Sequence, residues 1–387
     1  MIYLDANATT PLHPAAREAM LPLLGDLFGN PSSIHSEGQR ARAAVDRARE
    51  QCAAALGVLP KELVFTSGGT EAAQLALLGT ARATQVARAA GASAGTPPLR
   101  VVTSTVEHAC VTAACNELER LGVEVARVPV DPEGRLDMGA LKDALQPGAL
   151  LCSIMAANNE TGVRFPLPEI AALCHARGVP LHTDAVQLAG KGPIAVAGLG
   201  VDLLSLSAHK LGGPKGAGLL WVRRGHSIAA LQAGGHQERG RRGGTENSAG
   251  IAGLGAALAH SPEQVADAPR LTALRDRLQA AVVAIPGAQV VGGGAARVGN
   301  TLCAAFDGCE GETLLVALDL AGVAVSTGSA CSSGTLEASP VLLAMGVPRE
   351  LARGAVRFSL WSGNTEEEID RVSALLPGVI ARVRGPS

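Results

Sequence analysis

Aromatic side chains are scarce in this sequence: one Tyr, two Trp and five Phe, 2% of 387 residues. A core short of large rings must be filled by Ala, Val and Leu and by close backbone approach, which 47 glycines permit. That suits tight α/β layers. An excess of charge of either sign is lacking too. With 33 basic against 35 acidic residues the formal net charge is −2, so nothing marks nucleic acid or an anionic membrane as a partner. A small substrate is the better expectation. No apolar run is long enough to cross a bilayer, because the longest uncharged stretch, residues 278–296, is broken by Pro286-Gly287 and Gly292-Gly293-Gly294. The opening Met1-Ile2-Tyr3-Leu4-Asp5 carries neither the basic region nor the apolar core of an export signal, which makes a cytoplasmic location the expectation. Cysteines spaced C-x-x-C are missing as well. The eight cysteines are scattered, unlike a disulfide framework or a zinc knuckle, and no metal site is expected. Cys52, Cys110, Cys115, Cys152, Cys174, Cys303 and Cys309 read as small core residues. Cys331 sits in different company, described below.

What is present is alternation. Short apolar runs near 63–66, 100–104, 150–155, 179–184 and 201–206 read as strands, and stretches at 37–56, 72–88 and 249–259 read as helices. Such alternation predicts a mostly parallel, doubly wound sheet. At about 150 residues per domain the length suggests two domains, with a boundary around Ser261-Pro262. The larger would span 14–260. The smaller, α+β, would join 1–13 to 261–387, with strands near 299–306, 323–326 and 355–360.

Chemistry-bearing residues fall at the ends of these strands. Ser205-Leu206-Ser207-Ala208-His209-Lys210 closes one strand just before Leu211-Gly212-Gly213-Pro214. A partly desolvated amine held there can form a Schiff base with an aldehyde cofactor, although a surface lysine before a turn is the commoner reading of the hexapeptide by itself. Ser67-Gly68-Gly69-Thr70-Glu71 follows another strand and opens a helix, which makes an anion site of free N–H groups, or a plain helix cap by Thr70. His108 ends the next strand, where an imidazole can stack on a flat ring, move protons or merely cap. Asn158 and Asn159 place two amides in a loop after a strand. Asp184 closes its strand 26 residues before Lys210, where a carboxylate can pair with a pyridinium nitrogen or cap a helix. Arg357, among strand-like apolar residues, suggests a planar carboxylate partner or a structural ion pair. The glycine-rich polar segment 234–247 has the composition of a flexible solvated loop. In Ser326-Thr327-Gly328-Ser329-Ala330-Cys331-Ser332-Ser333-Gly334 the one distinctive group is a thiol, able to attack as thiolate from an accessible loop.

Taken together these residues resemble the cysteine desulfurases of the nitrogen-fixation and iron–sulfur-cluster assembly type, which are fold-type I pyridoxal phosphate enzymes. The resemblance runs nearly end to end. It covers Tyr3-Leu4-Asp5-Ala6-Asn7-Ala8-Thr9-Thr10, Phe28-Gly29-Asn30-Pro31-Ser32-Ser33, Thr66-Ser67-Gly68-Gly69-Thr70-Glu71, Asn158-Asn159-Glu160-Thr161-Gly162, His182-Thr183-Asp184-Ala185-Val186-Gln187, Ala208-His209-Lys210, the 234–247 loop and Gly328-Ser329-Ala330-Cys331. It implies an α/β large domain with a mostly parallel seven-stranded sheet beside a smaller α+β domain, and pyridoxal 5'-phosphate as cofactor. By the same resemblance Lys210 carries the cofactor as a Schiff base and Asp184 holds its ring nitrogen. His108 stacks on the ring, Gln187 and Asn159 contact the ring hydroxyl or nearby substrate, and Gly69, Thr70, Ser207 and His209 bind the phosphate. Thr245 reaches the phosphate of the neighbouring subunit of a homodimer. Arg357 holds the carboxylate of L-cysteine with Asn159 and Asn30 nearby, Lys210 removes the Cα proton, and Cys331 takes the sulfur as a persulfide. The products implied are alanine and sulfur passed to an iron–sulfur scaffold or another acceptor protein. The loop from Ser326 to about Leu336 resembles the mobile-loop group, and Gly244-Thr245-Glu246-Asn247 with the short tail resembles the nitrogen-fixation branch. A selenocysteine lyase or other β-lyase would share Lys210 and Asp184 but need not use Cys331. A non-catalytic sulfur carrier of this fold would bind no cofactor.

Overall fold

A computed structural model describes residues 1–90, 99–146, 148–327 and 338–385. The chain begins with β1 (Ile2–Tyr3), and seven further strands form the main sheet: β2 (Leu63–Thr66), β3 (Arg100–Ser104), β4 (Glu124–Val128), β5 (Leu151–Ser153), β6 (Leu181–Asp184), β7 (Leu203–Ser207) and β8 (Gly218–Val222). Their order across the sheet is β2-β8-β7-β6-β5-β3-β4. Pairings are parallel throughout except that β8 runs antiparallel to both β2 and β7. Strands buried on both faces are expected to be nearly continuous apolar runs, and β2, β6, β7 and β8 are buried at every position. Leu63, Phe65, Leu204 and Leu206 join the core on one face, while Val64, Leu203 and Leu220 join the core on the other. Because the parallel strands share a direction, Ser104, Ser153, Asp184 and Ser207 end at one edge of the sheet. That edge is where open α/β sheets hold ligands.

The missing aromatics are replaced by close helix packing. The helix Ser248–Ala259 (SAGIAGLGAALA) is buried along almost its whole length, between the helices Pro14–Leu24 and Ser36–Leu56. A Cβ on Gly255 would stand 2.7 Å from Ala48 Cα, and one on Gly253 2.7 Å from Met20 Sδ, so only small residues allow these helices to meet.

The second sheet is antiparallel and built from β9 (Ala288–Val290), β10 (Thr301–Phe306), β12 (Ser326–Thr327) and β13 (Ala355–Ser359), in the order β12-β13-β10-β9. The expected single strand at 323–326 is divided. β11 (Val323–Ala324) pairs in parallel with β1, whereas β12 pairs with β13. Ile2, Leu4, Leu278, Phe306, Phe358 and Leu376 share one core here, so the N-terminal arm packs with the C-terminal part of the chain. From there the arm crosses to the main sheet: Thr10 N–H donates to His209 O at 2.9 Å and His13 N–H to Gly212 O at 2.8 Å. Val341, Leu342, Met345 and Leu351 pack into the main core rather than the smaller one. Among the described residues, no helix is long and apolar enough to cross a membrane.

Candidate active site

A cavity of about 350 Å³ opens at the carboxyl edge of the main sheet, where the N-terminal arm and β13 come across it. Gly69, Thr70, His108, Asn159, Asp184, Gln187, Ser207, His209, Lys210 and Arg357 all line it. Ten of the residues singled out in the sequence therefore meet in one place. Two do not, and a third cannot be placed. Asn30 is exposed and spends its Oδ1 on the turn it starts, accepting from Ser32 N–H at 2.9 Å. Thr245 is exposed and lines a separate hollow with Phe65, Arg242 and Asn247. Cys331 lies outside the described residues.

Lys210 ends a single 3-10 turn, Ala208–Lys210, that follows β7 directly. Its Nζ donates to the carbonyl oxygens of Asn7 at 2.6 Å and Ala8 at 2.8 Å. Asp184 is the last residue of β6 and is buried, with Oδ1 accepting from Val186 N–H at 3.0 Å. Burial pushes its carboxyl above the usual range, against the pull of His108, Val186 N–H and Lys210. A buried carboxylate of this kind gains from a cationic partner. His108 caps the helix Ala109–Arg120, its Nδ1 accepting from Cys110 N–H at 3.2 Å with Cys110 Sγ at 3.0 Å, and it also lines the cavity. Capping and cavity-lining thus coincide in one side chain. Burial, then the charges of Lys210 and Lys215, lower His209 to about 4, so its imidazole is neutral near pH 7.

The helix expected to begin after Thr70 begins earlier, as Gly69–Ala90, which places Gly69 and Thr70 in its first turn and removes the simple-cap reading of Thr70. Helix N-termini leave N–H groups without intrahelical partners and attract anions. A Cβ on Gly69 would lie 2.8 Å from Val186 Cγ2 and 3.4 Å from Ser207 Cβ, so glycine keeps this corner open.

Arg357, from the middle of β13, is buried and donates from Nη1 to Asn159 O at 3.0 Å and from Nη2 to Asp5 Oδ1 at 2.8 Å. Its Nε and the Oδ1 of Asn159 are buried without partners among the described residues. Buried polar groups without partners are uncommon in folded proteins. Here both belong to residues that line the cavity, and a ligand with a carboxylate and a ring hydroxyl fits them. The lysine amine, the buried Asp184 and the glycine-opened helix turn fit pyridoxal phosphate in the same way.

Several participants carry no local signal in the sequence. Asn7 is buried in the arm and donates from Nδ2 to Thr301 Oγ1 at 2.9 Å and Asn159 O at 3.2 Å. Lys191 reaches Asn7 Oδ1 at 2.8 Å. Glu107 is buried beside the cavity, where Oε1 accepts from Ser104 Oγ at 2.6 Å and from Met155 N–H at 3.1 Å. Only Glu107, a carboxyl next to His108 at a strand end, could have been noticed from its neighbours.

The aminotransferase class-V family model matches residues 2–372. The chain belongs to that family. In this class-V chain the 371 matched residues take in every cavity residue named above. Over 391 aligned residues the chain is 47% identical to a cysteine desulfurase of Klebsiella pneumoniae, covering 100% of this chain and 94% of that protein. Among solved structures, it resembles a NifS-like protein with a TM-score of 0.89 and 35% identity, over 98% of this chain and 99% of the other. It also resembles SspA in complex with cysteine, with a TM-score of 0.81 and 32% identity, over 94% and 100%.

Proposed function

We propose that this class-V protein is a pyridoxal phosphate-dependent cysteine desulfurase, converting L-cysteine to L-alanine and leaving the sulfur on Cys331 for an acceptor protein. The observation that carries the reading is the meeting of Lys210, Asp184, the Gly69 helix turn and Arg357 around one cavity, in a chain similar to cysteine desulfurases from end to end. The cysteine in the complex of the similar SspA supports L-cysteine as substrate.

In this reading Gly69, Thr70, Ser207 and His209 would hold the cofactor's phosphate, Asp184 would pair with its ring nitrogen, His108 would stack on the ring, and Gln187 and Asn159 would bind its hydroxyl. Pyridoxal phosphate, when bound, supplies an electron sink for a carbanion at the substrate's Cα. Lys210 holds the cofactor at rest; as a free amine it takes the Cα proton on Nζ and returns a proton later. Arg357 fixes the substrate carboxylate, so that the Cα–H bond faces Lys210. Cys331 attacks the substrate sulfur as a thiolate: an S–S bond forms, the C–S bond breaks, and the electron pair left on carbon is finally protonated to give alanine. Thr245 reaches the phosphate in the partner subunit of a homodimer, which accounts for its distance from the cavity of its own chain. The larger domain, 14–260, carries the cofactor residues, and 1–13 with 261–387 carries Arg357 and Cys331.

Three measurements test this. Added pyridoxal phosphate should give a visible absorption band that is lost in Lys210→Ala, and L-cysteine should yield alanine. A wild-type protein that stays colourless, or a Cys331→Ala variant that releases sulfide from cysteine at the wild-type rate with dithiothreitol present, would overturn the reading.

A further inference from the structure

Lys191 lies four residues after Gln187 and outside the cavity that Gln187 lines. Its Nζ donates to Gln187 Oε1 and to Asn7 Oδ1, the latter at 2.8 Å. Gln187 Nε2 in turn donates to the backbone oxygen of Asn7 at 3.0 Å. A backbone carbonyl can only accept, so the NH2 of Gln187 must be the end facing Asn7, and its amide oxygen must be the end facing Lys191. The side chain therefore has one orientation. One hydrogen of its NH2 is used on Asn7, and no acceptor takes the other among the described residues, while Gln187 lines the cavity.

The same Asn7 oxygen accepts from Lys210 Nζ at 2.6 Å. Asn7 is itself pinned through its Oδ1 by Lys191 and by Asn300 Nδ2, the latter at 3.2 Å. Lys191 thus acts on both walls of the site, through Gln187 on one side and through Asn7 against Lys210 on the other. The charged groups that act on it are Lys210 and Arg357, both cations, and no carboxylate pairs with it among the described residues. Burial, then those two charges, push its pKa well below that of an ordinary lysine. A buried amine without a carboxylate partner is costly, and its hydrogen bonds to Gln187 and Asn7 offset part of that cost.

We propose that Lys191 is a positioning residue: by tying Gln187 Oε1 and Asn7 Oδ1 to one amine, it holds the Gln187 NH2 as a donor toward an anionic ring oxygen and holds the Asn7 carbonyl against Lys210. The inference rests on the desulfurase reading, because the ring oxygen is that of pyridoxal phosphate. It goes beyond that reading in assigning work to a residue that touches neither cofactor nor substrate.

The test is a pH titration of the visible band of the holoenzyme, compared between wild type and Lys191→Met, which keeps the stem and removes the amine. Loss of the oriented donor disfavours the deprotonated chromophore. The midpoint should rise by about one pH unit, the effect of one hydrogen bond to a charged group. Lys191→Arg, which restores donors and charge, should bring it back toward the wild-type value. In a Gln187→Ala background, Lys191→Met should shift the midpoint by clearly less, since part of its effect travels through Gln187. Lys191→Gln, too short to reach both oxygens, serves the same comparison if the Met variant does not fold. Identical midpoints and identical cofactor affinity in wild type and either uncharged variant would overturn the role of Lys191 alone. A wild type that acquires no visible band would overturn it together with the desulfurase reading.

Discussion

Glu107 is pushed up to about 8 by burial and by the charge of Asp184, against the hydrogen bonds from Ser104 and Met155 and the pull of His108. It therefore stays protonated in the folded protein near neutral pH, while in the unfolded chain it ionises near 4.3. Between those values the folded state binds more protons, so this group lowers stability as pH rises from about 4.3 to 8. Glu107→Gln, which cannot ionise, should gain on the wild type across that window by at most about 1.4 kcal/mol per pH unit. Urea unfolding of the cofactor-free proteins at pH 5 and pH 8 checks this, and an equal difference at both would contradict it. Lys210, Asp184 and Gly69 were legible because each stands at the end of a short apolar run, and strand ends are where such sheets act. Asn7 and Lys191 were not, and Glu107 only through its place beside His108. Their importance comes from which residues lie across from them: residue 7 meets 187, 191, 210 and 300 only after the arm has crossed both sheets.

At the scale of elements, the phosphate corner depends on how closely β8 approaches the turn after β2. Gly218 pairs with Thr66 on one side and Ser207 on the other. A Cβ there would stand 2.6 Å from the backbone of Gly68 and 2.7 Å from Leu206 O. Gly218→Ala should therefore cost about 1–3 kcal/mol of stability by overpacking and should weaken pyridoxal phosphate binding in a titration. Unchanged affinity would detach this contact from the cofactor site. The loop at 234–247 shows where composition misleads. Its glycines and charges suggest a solvated segment, yet Glu238 is buried, bidentate with Arg49, and accepts from Phe65 N–H at 3.1 Å. Glu238 and Arg239 have a left-handed backbone, at φ 47° and 57°, and that ion pair fixes the Glu238 side chain. The strands that were read were right in kind and misjudged at their ends, because an apolar run of the length of 150–155 continues past the last ladder bond of β5, while β4 and β8 were not read at all.

At the scale of the molecule, the fold brings two sheets and the arm around one cavity, and leaves apolar surface elsewhere. Phe28 is 79% exposed and Ile34 91%, with Leu12, Leu21 and Leu24 also outside. In the proposed homodimer exposed apolar side chains and the distant Thr245 are expected to lie at or near the subunit contact. Sedimentation equilibrium at micromolar concentration should give twice the chain mass; a monomer would remove Thr245 from the site. The central claim, however, is the transfer of sulfur from cysteine activated near Lys210 to Cys331, and a direct mass measurement tests it. Holoenzyme is incubated with L-cysteine without reductant, trapped with an alkylating agent, digested and analysed by mass spectrometry. The account predicts one additional sulfur atom on the peptide containing Cys331, lost with dithiothreitol and absent in Lys210→Ala. Alanine formed with no sulfur added to Cys331, or sulfur added equally in Lys210→Ala, would contradict it.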